Sequence, residues 1–212
     1  MKKIFRLFFL IMLTSFLILV IGGPSFAQSD EDISQKDGNS VSPKNTMAGI
    51  TMGSFSIASD RFKEIFMNPS TVTGIEASYL FPIKSHFLGL TLEVRGLSQA
   101  GHSTVTNRNI YFSLTPLTLT GKYMALLSDF TPYFGAGIDL FFYKEESHIS
   151  LISGITPGLH IEGGVYYKPP LFEFIKIRAV LRISRAFANE NDIKVNLGGL
   201  EFGLGILYCF NI

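Results

Sequence analysis

From Met47 onward, apolar and polar residues alternate with period two, the pattern of strands that bury one face only. In 88–95, Leu88, Leu90, Leu92 and Val94 oppose Gly89, Thr91, Glu93 and Arg95. In 133–143, Phe134, Ala136, Ile138, Leu140 and Phe142 oppose Tyr133, Gly135, Gly137, Asp139 and Phe141. Leu159, Ile161 and Val165 stand against His160, Glu162 and Gly164, and Ile175, Ile177, Ala179, Leu181 and Ile183 against Lys176, Arg178, Arg182 and Ser184. The last segment sets Leu200, Phe202, Leu204, Ile206, Tyr208 and Phe210 against Glu201, Gly203, Gly205, Leu207 and Cys209.

These segments predict eight strands, at 47–57, 71–79, 88–95, 110–123, 132–143, 157–167, 175–185 and 199–210. The gaps between them hold 13, 8, 14, 8, 13, 7 and 13 residues, alternating long and short. That rhythm predicts an all-β, eight-stranded antiparallel up-and-down transmembrane β-barrel, with short turns at the periplasmic rim and longer outward loops. One segment breaks the pattern: in 110–123 the apolar residues run Ile110, Phe112, Leu114 and then Leu117, Leu119, Tyr123. A one-residue slip at Thr115-Pro116 predicts a bulge or bend, because a bulge moves side chains to the opposite face.

Alternation alone fits a soluble lipocalin-like periplasmic carrier equally well, with the apolar face turned inward. Three observations favour the membrane, with the carrier kept as an alternative reading. The polar face is built mainly of Gly, Ser and Thr, as a narrow interior requires. Its charges balance, Glu76, Glu93, Asp139, Glu162 and Glu201 against Arg95, Lys122, Lys176, Arg178 and Arg182, so that they can neutralise one another in a lumen. His160 beside Glu162 joins this expected lumen network, either as a pH-sensitive contact or simply as a hydrogen-bonding member. Aromatics collect at the short-turn end, where Tyr79, Phe81, Tyr123, Phe134, Tyr167, Phe172, Tyr208 and Phe210 form an expected interfacial girdle.

The first 46 residues do not belong to this pattern. Lys2, Lys3 and Arg6 precede an apolar run from Leu7 to Gly23, and Pro24-Ser25-Phe26-Ala27 ends in a small-residue cleavage pattern, so 1–27 reads as a signal peptide cleaved after Ala27. The alternative is an uncleaved single-span anchor, since the apolar run approaches spanning length. Residues 28–46 are polar and aromatic-free, and read as a flexible periplasmic leader. The barrel then occupies 47–212. Loss of the signal removes three of 18 basic residues, leaving 15 against 17 acids and a net charge of −2, without a basic stripe for nucleic acid. The lone Cys209 leaves no intrachain disulfide or Cys-rich metal site.

On "TPYFGAGIDLFFY" at 131–143 and "GGLEFGLGILYCF" at 198–210, the chain resembles the small outer-membrane β-barrel proteins, the class that includes the membrane domain of outer membrane protein A. The resemblance spans 47–212. It implies an outer-membrane location, lipid around the barrel, insertion by the barrel assembly machinery and a monomer. In that class the last strand ends in an aromatic that the machinery recognises. Here Phe210-Asn211-Ile212 displaces that aromatic by two residues.

Candidate chemistry is sparse. His86, His102, His148 and His160 share no metal-ligand spacing, so neither a metal nor a cofactor is expected. The catalytic alternative is His148 and Ser150 with Glu162, similar in spacing to the Ser/His/Glu set of lipid A 3-O-deacylases, which are also eight-stranded barrels. Three readings of function follow. The leading one is a non-enzymatic barrel with a packed lumen and a structural or surface-interaction role through four outer loops that meet an unidentified surface ligand. A narrow pore and a lipid A-modifying hydrolase are the others. The stretch 58–70, rich in Phe62, Ile65, Phe66 and Met67, reads as an amphipathic turn that covers the barrel mouth or lies on lipid headgroups.

Overall fold

The structure, a computed structural model, describes residues 45–66, 69–83, 86–103, 108–125, 127, 129–148, 150–172, 174–190 and 193–210. The expected signal peptide, all of the expected leader but Asn45 and Thr46, and the terminal Asn211-Ile212 lie outside these residues. The elements are β1 (Thr46–Ile57), α1 (Asp60–Ile65), β2 (Ser70–Ile83), β3 (His86–Ser103), β4 (Arg108–Ala125), β5 (Phe130–Glu146), β6 (Leu151–Tyr167), β7 (Ile175–Glu190), β8 (Ile193–Asn196) and β9 (Gly199–Phe210). All pairings are antiparallel. Consecutive strands β1 to β7 pair in order, and β9 pairs with both β7 and β1, closing the ring.

β8 and β9 together fill the eighth position. Phe187↔Asn196 and Ile183↔Leu200 belong to one register, interrupted only at Leu197-Gly198. There Asn196 Oδ1 accepts from the Ala186 and Gly198 N–H groups, and the Gly198 carbonyl accepts from Ala58 N–H. Followed once round the ring from Ser56, the register passes through Leu200, Ile183, Ile161, Ala136, Gly121, Leu90 and Tyr79 and returns to β1 at Thr46. The displacement of ten residues, 56 to 46, tilts the strands by roughly 40°, as closure of a barrel this size demands.

The alternating faces resolve as outside and inside. Ile50, Ile75, Leu90, Leu92, Ile138, Leu159, Phe202 and Leu204 all stand exposed on the exterior, while Glu93, Arg95, Lys122, Asp139, Glu162, Arg178 and Arg182 are buried within. A protein in water would reverse this arrangement, because charge is costly to bury and apolar area favourable to bury. An apolar exterior and a charged interior suit a ring of strands surrounded by hydrocarbon, whose backbone polar groups are all satisfied within the sheet. The chain is therefore a transmembrane β-barrel rather than a lipocalin-like one.

Two expectations are corrected. First, β4 carries no bulge. Its inward positions run without slip through Ile110, Phe112, Leu114, Pro116, Thr118, Thr120, Lys122 and Met124. The pairs Val94↔Leu117 and Leu97↔Leu114 share one register, and only the ladder beside Pro116, which has no N–H to donate, is missing from the β3–β4 seam. What changes at 115–116 is the chemistry of the lumen. Nearer the loop rim the interior is apolar, so Ile110, Phe112 and Leu114 face inward there. Second, most of the expected long loops are strand. β3 extends to Ser103, β5 to Glu146 and β6 begins at Leu151, so the hairpins project beyond the apolar belt.

Candidate functional site

The lumen is stacked in three layers. At the short-turn end Met47, Leu80, Met124, Tyr133, Tyr166, Val180, Leu207 and Cys209 form one apolar cluster. At the loop rim a second cluster joins Phe55, Ile57, Val72, Leu97, Phe112, Leu114, Phe141 and Leu197. The ion-paired layer lies between them.

Helix α1 completes the rim cluster. Phe62 and Phe66, four residues apart, fall on one face of a single turn, which closes with the Phe66 N–H donating to the Phe62 carbonyl at 2.9 Å. Their rings stack at 4.5 Å, and Phe62 meets Phe112 edge-on at 4.9 Å. A helix of six residues has no stability of its own, so this aromatic packing holds it over the mouth. The Phe66 ring also lies against Gly101, where a Cβ would come within 2.6 Å of its Cδ1.

In the middle layer Arg182 is the hub. It bonds Glu93, donates from Nε and Nη2 to Glu162 at 2.8 and 2.6 Å, and lies 3.5 Å from Glu201. Arg178 bonds Glu76, reaches Glu162 at 3.2 Å and donates from Nε to the Tyr133 hydroxyl at 2.8 Å. Arg95 bonds Glu201 and the Thr118 hydroxyl, which in turn donates to Asp139 at 2.7 Å. Lys122 is 3.4 Å from Glu162 and donates to the Tyr166 hydroxyl at 2.9 Å. His160 bridges Asp139, at 3.0 Å from Nδ1, and the Thr120 hydroxyl, at 3.0 Å from Nε2. Some of these contacts join neighbouring strands, but Arg182 to Glu93, Arg178 to Glu76 and Arg95 to Glu201 reach strands that are not neighbours, so the layer ties the ring across its interior. In a low-dielectric interior such charges persist only when paired and hydrogen-bonded.

Ten of the eleven residues expected in the lumen network lie in this layer. Lys176 does not: it is half-buried nearer the short-turn end, with Cys209 and Lys168 as its electrostatic neighbours. Among the described residues five carboxylates of this layer thus face four permanent cations, and Asp139 also meets the His160 imidazole. Parity puts Lys176 on the inner face but carries no measure of depth. Glycine makes the room these side chains need. A Cβ on Gly74 would sit 2.6 Å from Arg95 Cγ, and one on Gly137 2.6 Å from His160 Cε1.

At the short-turn rim exposed and half-buried rings meet in pairs: Tyr79 with Phe81 at 4.8 Å, His86 with Tyr123 at 5.2 Å, Phe130 with Tyr167 at 4.9 Å, Phe174 with Tyr208 at 6.1 Å and Tyr208 with Phe210 at 6.2 Å. Phe134 and Phe172 are also exposed. The structure does not assemble the catalytic alternative. His148 and Ser150 lie in the exposed connection between β5 and β6, where Ser150 Oγ pairs with Ser147 Oγ at 3.0 Å. Glu162 lies eleven residues below Leu151 on β6, roughly 35 Å along the strand at 3.3 Å per residue, and is engaged by Arg178, Arg182 and Lys122.

A closed antiparallel ring with an apolar exterior, an aromatic rim and an ion-paired interior defines the class of small outer-membrane β-barrels. No protein-family model and no curated protein sequence matches the chain. Among solved structures, Neisserial surface protein A is similar over 78% of this chain and 97% of its own, at 14% identity and a TM-score of 0.57. The outer membrane protein OprG from Pseudomonas aeruginosa is similar over 80% of this chain and 97% of its own, at 16% identity and a TM-score of 0.57. At these identities the likeness is one of fold.

Proposed function

We propose that the protein is a monomeric, non-enzymatic barrel of the outer membrane, sealed through its lumen, that acts by presenting its loop rim to surface ligands. The observation that carries this reading is the stacking of the lumen: a buried ion-paired layer beneath an apolar layer capped by Phe62 and Phe66. A water path through both would have to displace paired charges and packed rings in turn. The elements that then remain for interaction are α1 and the hairpin ends that rise beyond the belt, among them Asn109, Glu146, His148 and Ser150. The short-turn rim faces the periplasm in this reading, and insertion uses the barrel assembly machinery. The remoteness of Glu162 from Ser150 supports a role without hydrolysis.

Two experiments test it. Replacement of 58–69 or 147–150 by Gly-Ser linkers is expected to abolish cell-surface adhesion while the heat-modifiable folded band remains; unchanged adhesion overturns the surface role. Incubation of the refolded chain with lipid A, read by mass spectrometry, is expected to leave every acyl chain in place. Release of an acyl chain that Ser150→Ala abolishes would establish the hydrolase instead.

A further inference from the structure

The β6–β7 seam parts on the loop-rim side of the wall. Pro157 has no N–H to donate, and the β6–β7 pairing ends beside it, at Gly158↔Ala186. Beyond that pair β7 turns to β8, and the Thr156 hydroxyl on the Phe187 carbonyl, at 2.8 Å, bridges the parted strands. The parting leaves a groove of about 820 Å³ on the outer wall, lined by apolar side chains of three strands, including Ile138, Leu140, Leu159 and Phe187. One cation enters this lining. Arg185 stands exposed between Ile183 and Phe187, paired in register with Leu159, and has no ion-pair partner among the described residues.

Its depth gives the arrangement meaning. On neighbouring β5 the outward series passes from Leu140 and Phe142 to Lys144 and Glu146, which marks the upper edge of the apolar belt. Leu140 pairs with Pro157, and Arg185 pairs two residues deeper, opposite Leu159. On β7 itself the outward series runs Ile183, Arg185, Phe187 and Asn189, so Arg185 lies one outward position below the last apolar side chain of its strand, where a long side chain can lay its stem on the wall and lift its guanidinium towards headgroup level. A planar guanidinium with five donors matches a phosphate oxygen pair, and the apolar groove beneath it matches an acyl chain.

We propose that the seam is a binding site for an anionic, phosphate-bearing lipid of the leaflet at the loop rim, its headgroup on Arg185 and an acyl chain in the groove. The two halves belong to one amphiphile: charge complementarity selects the headgroup, and the groove selects a chain rather than a free ion.

The test uses the refolded mature chain in phosphatidylcholine nanodiscs doped with phosphatidylglycerol, with retained lipid read by native mass spectrometry. The wild type is expected to retain phosphatidylglycerol over phosphatidylcholine by about tenfold, the yield of one charge-assisted contact. Arg185→Gln should erase that preference and Arg185→Lys keep part of it. Leu159→Trp, which fills the groove, should lower retention of both lipids. Inorganic phosphate should not displace the lipid. Equal retention of the two lipids by the wild type overturns the proposal, and so does a preference that survives Arg185→Gln. Displacement by inorganic phosphate would assign Arg185 to a free anion and overturn it as well. The wild-type comparison stands whether or not a variant folds.

Discussion

Midway through the lumen Arg182 reaches Glu93, Glu162 and Glu201, whereas nearer the loop rim the same inward face carries Phe55, Leu97, Phe112 and Phe141. In the reading proposed above, one barrel is thus sealed twice, by opposite chemistry. The ion-paired layer holds side chains from across the ring at fixed positions, because buried carboxylates and cations must stay within reach of one another. The apolar layer excludes water by contact and depends on α1, which lies outside the sheet. Charge provides cross-linking and aromatic packing provides closure, and the two layers should respond differently to substitution.

The largest effect is expected in the charged layer. Arg182→Met removes the cation that three buried carboxylates share and should cost about 3–5 kcal/mol, read as a lower urea midpoint in detergent. A cost below 1 kcal/mol would mean that the carboxylates are already solvated. Phe112→Ala removes the ring on which α1 rests and should cost about 3 kcal/mol, with protease access to 58–69 rising while the barrel stays intact. Protection of that segment would show that α1 is held by something other than Phe112.

Two smaller effects sharpen the assignment of residues to layers. Lys122→Met is expected to cost about 2 kcal/mol through lost contacts with Glu162 and Tyr166, and Lys176→Met less than 1 kcal/mol. Equal costs would return Lys176 to the network. Smallest of all, Pro116→Val should raise stability by up to about 1 kcal/mol, since a restored N–H can complete the β3–β4 ladder without moving the register. A loss of several kcal/mol would point to a bend that only proline permits.

The strand faces were legible because a side-chain period of two separates inside from outside wherever the two environments differ. The ring, its eight positions and all but one of the lumen residues followed from that contrast. Near the rim the contrast vanishes: Phe112 inside and Leu119 outside are both apolar, so a continuous strand reads as a slipped one. Depth is equally invisible to parity, and Lys176 shares a face with Arg178 while lying outside its layer. The hairpin ends escaped for a third reason. Beyond the belt both faces of β3, β5 and β6 meet polar surroundings, and alternation no longer marks strand from loop.

The seal itself is tested most directly by single-channel recording of the refolded mature chain in a planar bilayer. The two stacked layers predict a silent membrane, without discrete conductance steps at any holding potential the bilayer withstands. Steps of one reproducible size, present in the wild type and altered by Arg182→Met, would place a continuous water path through the charged layer and contradict the account.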